Sequence, residues 1–344
     1  MKINIAGGGP IGLYAGYLLS KKGFNVTLFE EHKVIGKPVA CSGLLTQEIK
    51  KFRIDLTNSA VNRFESVSVH SKNIDLTFKN KDLLVDRFLF DNEILSMAKS
   101  EGVKIKFGQK HSGIRGKEDI LIGADGPLSN VAKHNGLFNE RKFYVGMQGI
   151  ARGSFDSSCY DSFFDAKLVN DFFYWSIPES NKISRAGIAS QKKAKQKYDV
   201  LFKKFKLKNT IAGLIPIYKP FCKCSNESKN VYLIGDAAGL LKNTTGGGII
   251  SGLESARLLC KAICEDKKYD ELLFPLHKQL IVHNLIRKML NKCSDKDYDE
   301  LFSYLKQKKI KKIVDEINRE KPLSSLMSIA MNEPRLLKFI LKAT

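Results

Sequence analysis

The run Ile3-Asn4-Ile5-Ala6 is apolar and short, and it stops at Gly7. From Pro10 to about Lys21 the apolar residues follow helical spacing, and Asn25-Val26-Thr27-Leu28-Phe29 then reads as a second strand closing on Glu30. Residues 1–60 and 81–140 keep this alternation of strand and helix. Between them, Glu65–His70 and Ile74–Phe78 alternate as a hairpin does, and residues 143–190 contain several further strands rich in aromatics. Asn230–Ile234 is a buried strand, and a helix after it runs through Ile249, Leu253, Ala256 and Leu259. Beyond residue 266 the pattern turns helical, as in Leu301-Phe302-Tyr304-Leu305 and Ile310-Ile313-Val314-Ile317. The fold class expected is α/β. Residues 1–60, 81–140 and 217–265 make a Rossmann-type domain, 61–80 and 141–216 an inserted antiparallel β-sheet domain, and 266–344 a C-terminal helical region.

Two glycine-rich turns carry the chemistry. In Gly7-Gly8-Gly9-Pro10-Ile11-Gly12, Gly7 suits a tight turn, Gly9 permits close approach of backbone amides to a pyrophosphate, and Gly12 permits close packing of helix on strand. A helix N-terminus attracts the phosphate charge, and Glu30 is placed to accept from ribose hydroxyls. The second turn, Gly235-Asp236-Ala237-Ala238-Gly239 through Gly246-Gly247-Gly248-Ile249, follows a strand in the same way. Asp236 is expected to meet a ribityl hydroxyl, and the amides that open the next helix to face a flavin carbonyl. Gly252 and Ala256 share a helix face and allow close approach to the sheet. Two such turns indicate one FAD rather than a nicotinamide alone.

With these motifs the chain resembles the geranylgeranyl reductase family, within the FAD enzymes typified by para-hydroxybenzoate hydroxylase. Val85-Asp86-Arg87 with Asp91, and Gly123-Ala124-Asp125-Gly126 with Ser129, are similar to stretches shared by that whole class. Gly36-Lys37-Pro38-Val39-Ala40-Cys41-Ser42-Gly43-Leu44 is similar to the narrower segment that geranylgeranyl reductases place beside the isoalloxazine. Phe173-Tyr174-Trp175-Ser176-Ile177-Pro178 matches a second family segment only at Trp175 and Pro178, and Asn243 stands where the family usually has proline.

The resemblance spans residues 1–265. It implies FAD contacts at Gly7, Gly9, Ile11, Gly12, Glu30, Cys41, Ser42, Leu44, Arg87, Asp125, Asp236, Gly247, Gly248 and Ile249, with substrate contacts at Phe173, Trp175 and Ile177. Strand alternation puts those last three on one face and Phe172, Tyr174 and Ser176 on the other. Cys41 and Tyr174 are the candidate catalytic groups.

The activity so implied is FAD-dependent reduction of isoprenoid double bonds, on geranylgeranyl chains of archaeal-type membrane lipids or their precursors. A flavin monooxygenase of the same fold acting on an aromatic small molecule is the alternative, and a binding protein that retains FAD without turnover is a third reading. With no further dinucleotide motif in the chain, ferredoxin and reduced nicotinamide both stay open as electron donor.

Composition adds limits. The chain has 344 residues, 43% of them hydrophobic, enough for more than one compact core. Its apolar runs are too short to span a bilayer and its start lacks a signal peptide's pattern, so a cytoplasmic protein, peripheral at the inner membrane face, is expected. The net charge of +21 has three readings, nucleic-acid binding, attraction to an anionic lipid surface, or a Lys-, Ile- and Asn-rich composition. No nucleic-acid module is recognisable. Seven cysteines imply reduced thiols, and the spacings of Cys222/Cys224 and Cys260/Cys264 suit packing better than metal. His70, His111 and His283 are scattered and are expected to be ordinary residues.

Overall fold

A computed structural model describes residues 1–138 and 140–343. In chain order the first half contains β1 (Lys2–Ala6), α1 (Pro10–Ser20), β2 (Asn25–Glu30), β3 (Leu44–Leu45), β4 (Ala60–Arg63), β5 (Ser66–His70), β6 (Asp75–Lys79), β7 (Leu83–Val85), α2 (Arg87–Ser100), β8 (Lys104–Phe107), β9 (Ile120–Gly123) and α3 (Asn130–His134). There follow β10 (Phe143–Arg152), β11 (Cys159–Phe163), β12 (Tyr174–Pro178), β13 (Ile183–Ser190), α4 (Ala194–Phe202), β14 (Lys208–Pro216), β15 (Ser225–Asn226), β16 (Val231–Leu233) and α5 (Ile249–Glu265). The chain closes with α6 (Tyr269–Leu272), α7 (Phe274–Asn291), α8 (Asp295–Leu305), α9 (Lys308–Asp315), α10 (Pro322–Asn332) and α11 (Leu337–Ile340).

The first sheet has the order β15-β16-β9-β1-β2-β8 and is parallel except at β15. Its central strand β9 is buried at all four positions, as a strand covered on both faces must be. α1 packs against both α2 and α5. Ile3, Ile5, Leu13, Leu28, Phe90, Ile122, Leu233 and Leu253 share one core here, each worth about 1.5–3 kcal/mol when fully buried.

The second sheet runs β14-β10-β13-β12-β11-β5-β6. The sequence pattern foresees its hairpin β5–β6 and its antiparallel character, but one pairing differs: β5 joins β11 in parallel, Ser66 to His70 opposite Cys159 to Phe163. A chain that leaves the parallel sheet and returns later brings these remote strands together in the same direction. Leu76 and Phe78 on β6 are buried in one cluster with Tyr298, Leu301, Phe302, Ile310 and Phe339. The C-terminal helices therefore cover the outer hairpin of this sheet. A small third sheet, β3-β7-β4, lies at the junction.

The scattered histidines include one exception to the expectation. His70 bridges two carboxylates, Nδ1 to Asp75 at 2.7 Å and Nε2 to Asp161 at 2.9 Å, and the hydrogen bond to Asp161 raises its pKa against the opposing effect of burial. His283 is buried with its Nδ1 on Thr244 Oγ1 at 2.8 Å, and burial, followed by the charge of Lys242, lowers its pKa to about 3. Among the described residues no three of His, Cys, Asp or Glu converge as metal ligands, and no helix is long and apolar enough to cross a membrane.

Candidate functional site

Gly7 leaves β1 at φ +103°, and a Cβ there would lie 2.3 Å from the carbonyl oxygen of Ala124. Only glycine accommodates both conditions. A Cβ on Gly12 would fall 2.1 Å from the oxygen of Gly7, so Gly12 lets the first turn of α1 close onto the preceding loop. Gly9 differs. Nothing lies within 4 Å of the position its Cβ would occupy. As the N-cap of α1 it offers no side-chain cap, so the opening amides of the helix are available to an anion.

Glu30, at the end of β2, is buried and holds this turn: its Oε2 accepts from Gly8 N at 2.7 Å and its Oε1 from His32 N at 2.8 Å. Asp125 is similarly engaged. Its Oδ1 accepts from Ser129 Oγ and its Oδ2 from the amides of Asn130 and Val131 at 2.7 and 3.2 Å, which fastens the start of α3.

The second turn interlocks with the first through Ile11. A Cβ on Gly252 would lie 2.8 Å from Ile11 Cδ1 and one on Gly235 3.2 Å from Ile11 Cγ1. The close approach expected of Gly252 is thus made to α1 and to Gly235 rather than to the sheet. A Cβ on Gly248 would lie 2.7 Å from Asp236 Oδ1, and Gly248 caps α5 without a side-chain bond. Desolvation pushes the Asp236 carboxyl above the usual range, while Arg87 and then Arg141 oppose the shift. Arg141 donates to the carbonyls of Asp236 and Ala237, at 3.1 and 2.6 Å.

Arg87 opens α2 and forks onto Asp91, Nε to Oδ1 at 3.0 Å and Nη2 to Oδ2 at 2.9 Å. Burial works against its charge, but Asp91 and then Cys41 hold its pKa above the usual guanidinium value. The Cys41 thiol sulfur accepts from the Gly43 amide at 3.4 Å. The segment carrying Cys41 is pinned at two further points. Gly43, at φ +78°, brings its α-carbon against Val85, where a Cβ would meet Val85 O at 2.3 Å, and Arg185 donates to the carbonyls of both Ser42 and Val85. Ala40 touches the second sheet, 3.0 Å from where a Cβ of Gly213 would stand.

Along the aromatic stretch Phe173 meets Trp175 edge-on at 6.0 Å, as alternation expects, and the departure is at Phe172. β12 begins at Tyr174, so Phe173 precedes the strand and stacks on Phe172 with ring centroids 4.6 Å apart. Trp175 and Ile177 do lie in the strand and pack with Leu44, Phe64, Leu84 and Tyr160. The Trp175 ring covers Gly187, and its Nε1 donates to Gln148 Oε1 at 3.1 Å. Tyr174 stacks on Phe163 at 4.7 Å; burial, then Asp165, raises its hydroxyl pKa.

Phe172, placed by alternation away from Phe173, meets the second glycine turn: a Cβ on Gly246 would lie 3.6 Å from its Cζ and 3.3 Å from Ile215. Sequence reasoning put Phe172 on the wrong face and overlooked Ile215, Arg141, Arg185 and Lys242. Only the exchange of the usual proline for Asn243 hinted that this turn is special. Asn243 Oδ1 accepts from Tyr218 N at 2.8 Å, and its Nδ2 donates to Asn284 Oδ1 at 2.8 Å.

A family pattern described as "NAD(P)-binding Rossmann-like domain" matches residues 5–64. Digeranylgeranylglycerophospholipid reductase 1 of Methanococcoides burtonii is 26% identical over 90% of this chain and 88% of its own. The digeranylgeranylglycerophospholipid reductase of Methanocaldococcus jannaschii is 24% identical over 92% and 95%. The chain resembles the geranylgeranyl reductases. The fold agrees: a geranylgeranyl bacteriochlorophyll reductase-like protein from Thermoplasma acidophilum superposes with a TM-score of 0.82 at 18% identity, covering 100% of this chain and 99% of that one. A flavin-dependent brominase shares the fold at TM-score 0.70 and 16% identity, over 97% and 100%. These matches cover nine-tenths or more of the chain, so the resemblance extends past residue 265.

Proposed function

We propose that this chain binds one FAD and reduces carbon–carbon double bonds in the geranylgeranyl chains of a glycerolipid or its precursor. The observation that carries the reading is how the Gly36–Leu44 segment is held: Gly43 lies against Val85, Arg185 of β13 donates to the carbonyls of Ser42 and Val85, Ala40 rests on Gly213 of the second sheet, and Ile35, just before the segment, stands 2.7 Å from where a Cβ of Gly8 would lie. The Gly36–Leu44 segment, similar to one found in geranylgeranyl reductases, thereby lies between the first glycine turn and the aromatic sheet. The names of the relatives support the lipid substrate.

The residues present fit FAD. Gly9 leaves open space at an uncapped helix start, Gly248 opens a second uncapped helix, and Glu30 terminates β2. Ile11, Gly12, Ser42, Leu44, Asp125, Gly247 and Ile249 complete the set proposed to hold or frame it. When bound, the flavin would supply the two electrons of the reduction. The chain's own contributions are orientation, exclusion of water and a proton. Phe173 and Trp175, both partly exposed, would offer apolar surface to an isoprenoid chain, whereas Ile177, expected there from the sequence, is buried against Phe64, Leu84 and Tyr160 and backs Trp175 instead. Cys41, half-exposed at the junction, and Tyr174, whose hydroxyl stays protonated, are the proposed proton donors.

Incubation of the protein with geranylgeranyl lipid and dithionite under strict anaerobiosis is expected to give products heavier by pairs of hydrogens in mass spectrometry. Incorporation of oxygen by aerobic protein, with no saturated product, would favour a monooxygenase instead. Trp175→Ala is expected to weaken chain binding by about 1–3 kcal/mol, an aromatic's share of buried contact. Cys41→Ser should lower turnover with FAD retained, and Tyr174→Phe gives the comparison.

Glu30→Ala is expected to lose about 1–3 kcal/mol of FAD affinity, through absent ribose hydrogen bonds and a Gly8 amide left without its acceptor. An unchanged FAD dissociation constant in that variant removes Glu30 from the site.

A further inference from the structure

The C-terminal helices present a surface that the reading above leaves unused. On α10, Leu323, Met327 and Met331 are 39%, 60% and 75% exposed and recur at intervals of four, which sets them in one stripe. The buried positions of the helix are Pro322 and Ile329. Helix α9 packs beside α10 and buries only Ile310. Lys306, Lys308, Lys309 and Lys312, on and just before α9, are exposed, as is Lys321 at the entry to α10. These five lysines stand outside the ion pairs formed among the described residues. Neighbouring lysines are committed, Lys338 to Glu300 and Lys342 to Asp297. Of the acids nearby, Glu320 is paired with Lys242 and Glu333 with Arg335, while Asp315 caps Lys79 N at 2.8 Å. Glu316 is the one acid of this stretch left exposed and outside those contacts.

An apolar stripe beside uncompensated cations has the chemistry of an element that lies in a membrane interface, its apolar residues at the headgroup–acyl boundary and its lysines among lipid phosphates. We propose that the α9–α10 face docks the chain on an anionic bilayer surface. A second copy of this chain would have to bring acidic residues to the same face, which a net charge of +21 makes a poor match.

The position of this face is functional. The link between α9 and α10 carries Arg319, which binds Asp82 and the Tyr160 hydroxyl, and Glu320, which binds Lys242 in the second glycine turn and Thr46. Docking therefore holds both glycine turn and aromatic sheet close to the lipid. This role rests on the lipid-substrate reading, whereas the docking itself is measured without turnover.

Flotation of the full chain with vesicles of phosphatidylcholine, alone or with a third of the lipid replaced by phosphatidylglycerol, tests the inference. Binding is expected to rise severalfold with phosphatidylglycerol and to fall with added salt. Lys308→Glu/Lys309→Glu/Lys312→Glu should weaken it by on the order of tenfold or more. Met327→Ser/Met331→Ser should remove the binding that persists at high salt. Both variants should retain wild-type circular dichroism and flavin content, and should reduce detergent-dispersed lipid as before. Equal binding to both vesicle types, or no effect of the lysine reversals, overturns the proposal. So does a dimer in sedimentation that Met327→Glu disperses, since a second copy would then own the stripe. Failure to reduce dispersed lipid with vesicle binding intact would instead fault the reductase reading alone.

Discussion

Gly12→Ala is expected to yield colourless protein. The added Cβ would lie 2.1 Å from the carbonyl oxygen of Gly7, and backbone cannot yield as a flexible side chain can. The loop and α1 must separate, which also shifts Ile11 out of its contacts with Gly235 and Gly252. Both glycine turns are disturbed by one methyl group. We expect a loss of at least about 3 kcal/mol in FAD affinity, more than hundredfold, together with a lower thermal midpoint. Gly9→Ala is the control, because its Cβ meets nothing within 4 Å. It should leave the stability of the flavin-free chain within about 0.5 kcal/mol, as substitutions away from special features do, and still reduce affinity for FAD by occupying the space of the pyrophosphate. Wild-type flavin binding by Gly9→Ala would show that this opening serves no dinucleotide.

Glu320→Gln should destabilise the fold by about 3–5 kcal/mol, the scale for removing one partner of a buried ion pair. Lys242 and Glu320 have side chains only 9% and 10% exposed, and Gln leaves the ammonium of Lys242 without its counter-charge. Replacing both, as Lys242→Met/Glu320→Leu, should recover much of the loss, since the pair's desolvation cost disappears with it. The pH dependence has a definite sign. Burial raises the Glu320 pKa, but Lys242, then Thr46, bring it below its ordinary value. A carboxyl with a depressed folded pKa contributes fully above the unfolded value of about 4.5 and loses that contribution as pH falls through the lower folded value. Chemical denaturation of wild type and Glu320→Gln should therefore differ most near neutrality and converge in acid. A gap that stays constant down to the acid limit would mean that Glu320 acts by shape rather than by charge.

The glycine turns were legible because their constraints are local. Strand, positive-φ glycine, uncapped helix and closing acid follow from backbone rules that operate over about thirty residues, and the structure arranges 1–30 and 231–265 accordingly. Hairpin and helix periodicities were legible for the same reason. Contacts between distant segments were not. Alternation separated Phe172 from Phe173, yet the chain bends before β12 and lays their rings together, with Phe172 against the second turn. The hairpin β5–β6 gave no sign that it would pair in parallel with β11 or carry the C-terminal helices.

What the sequence by itself determined is the pair of turns, the elements that flank them and the residue types available at the site. Tertiary structure alone decided that Ile11 locks the turns together, that Arg185 fastens the segment carrying Cys41 to Val85, and that Glu320 reaches Lys242. The last two residues are 78 positions apart. No periodicity links them, because a lysine buried in the glycine turn requires a carboxylate in space rather than at a set spacing along the chain.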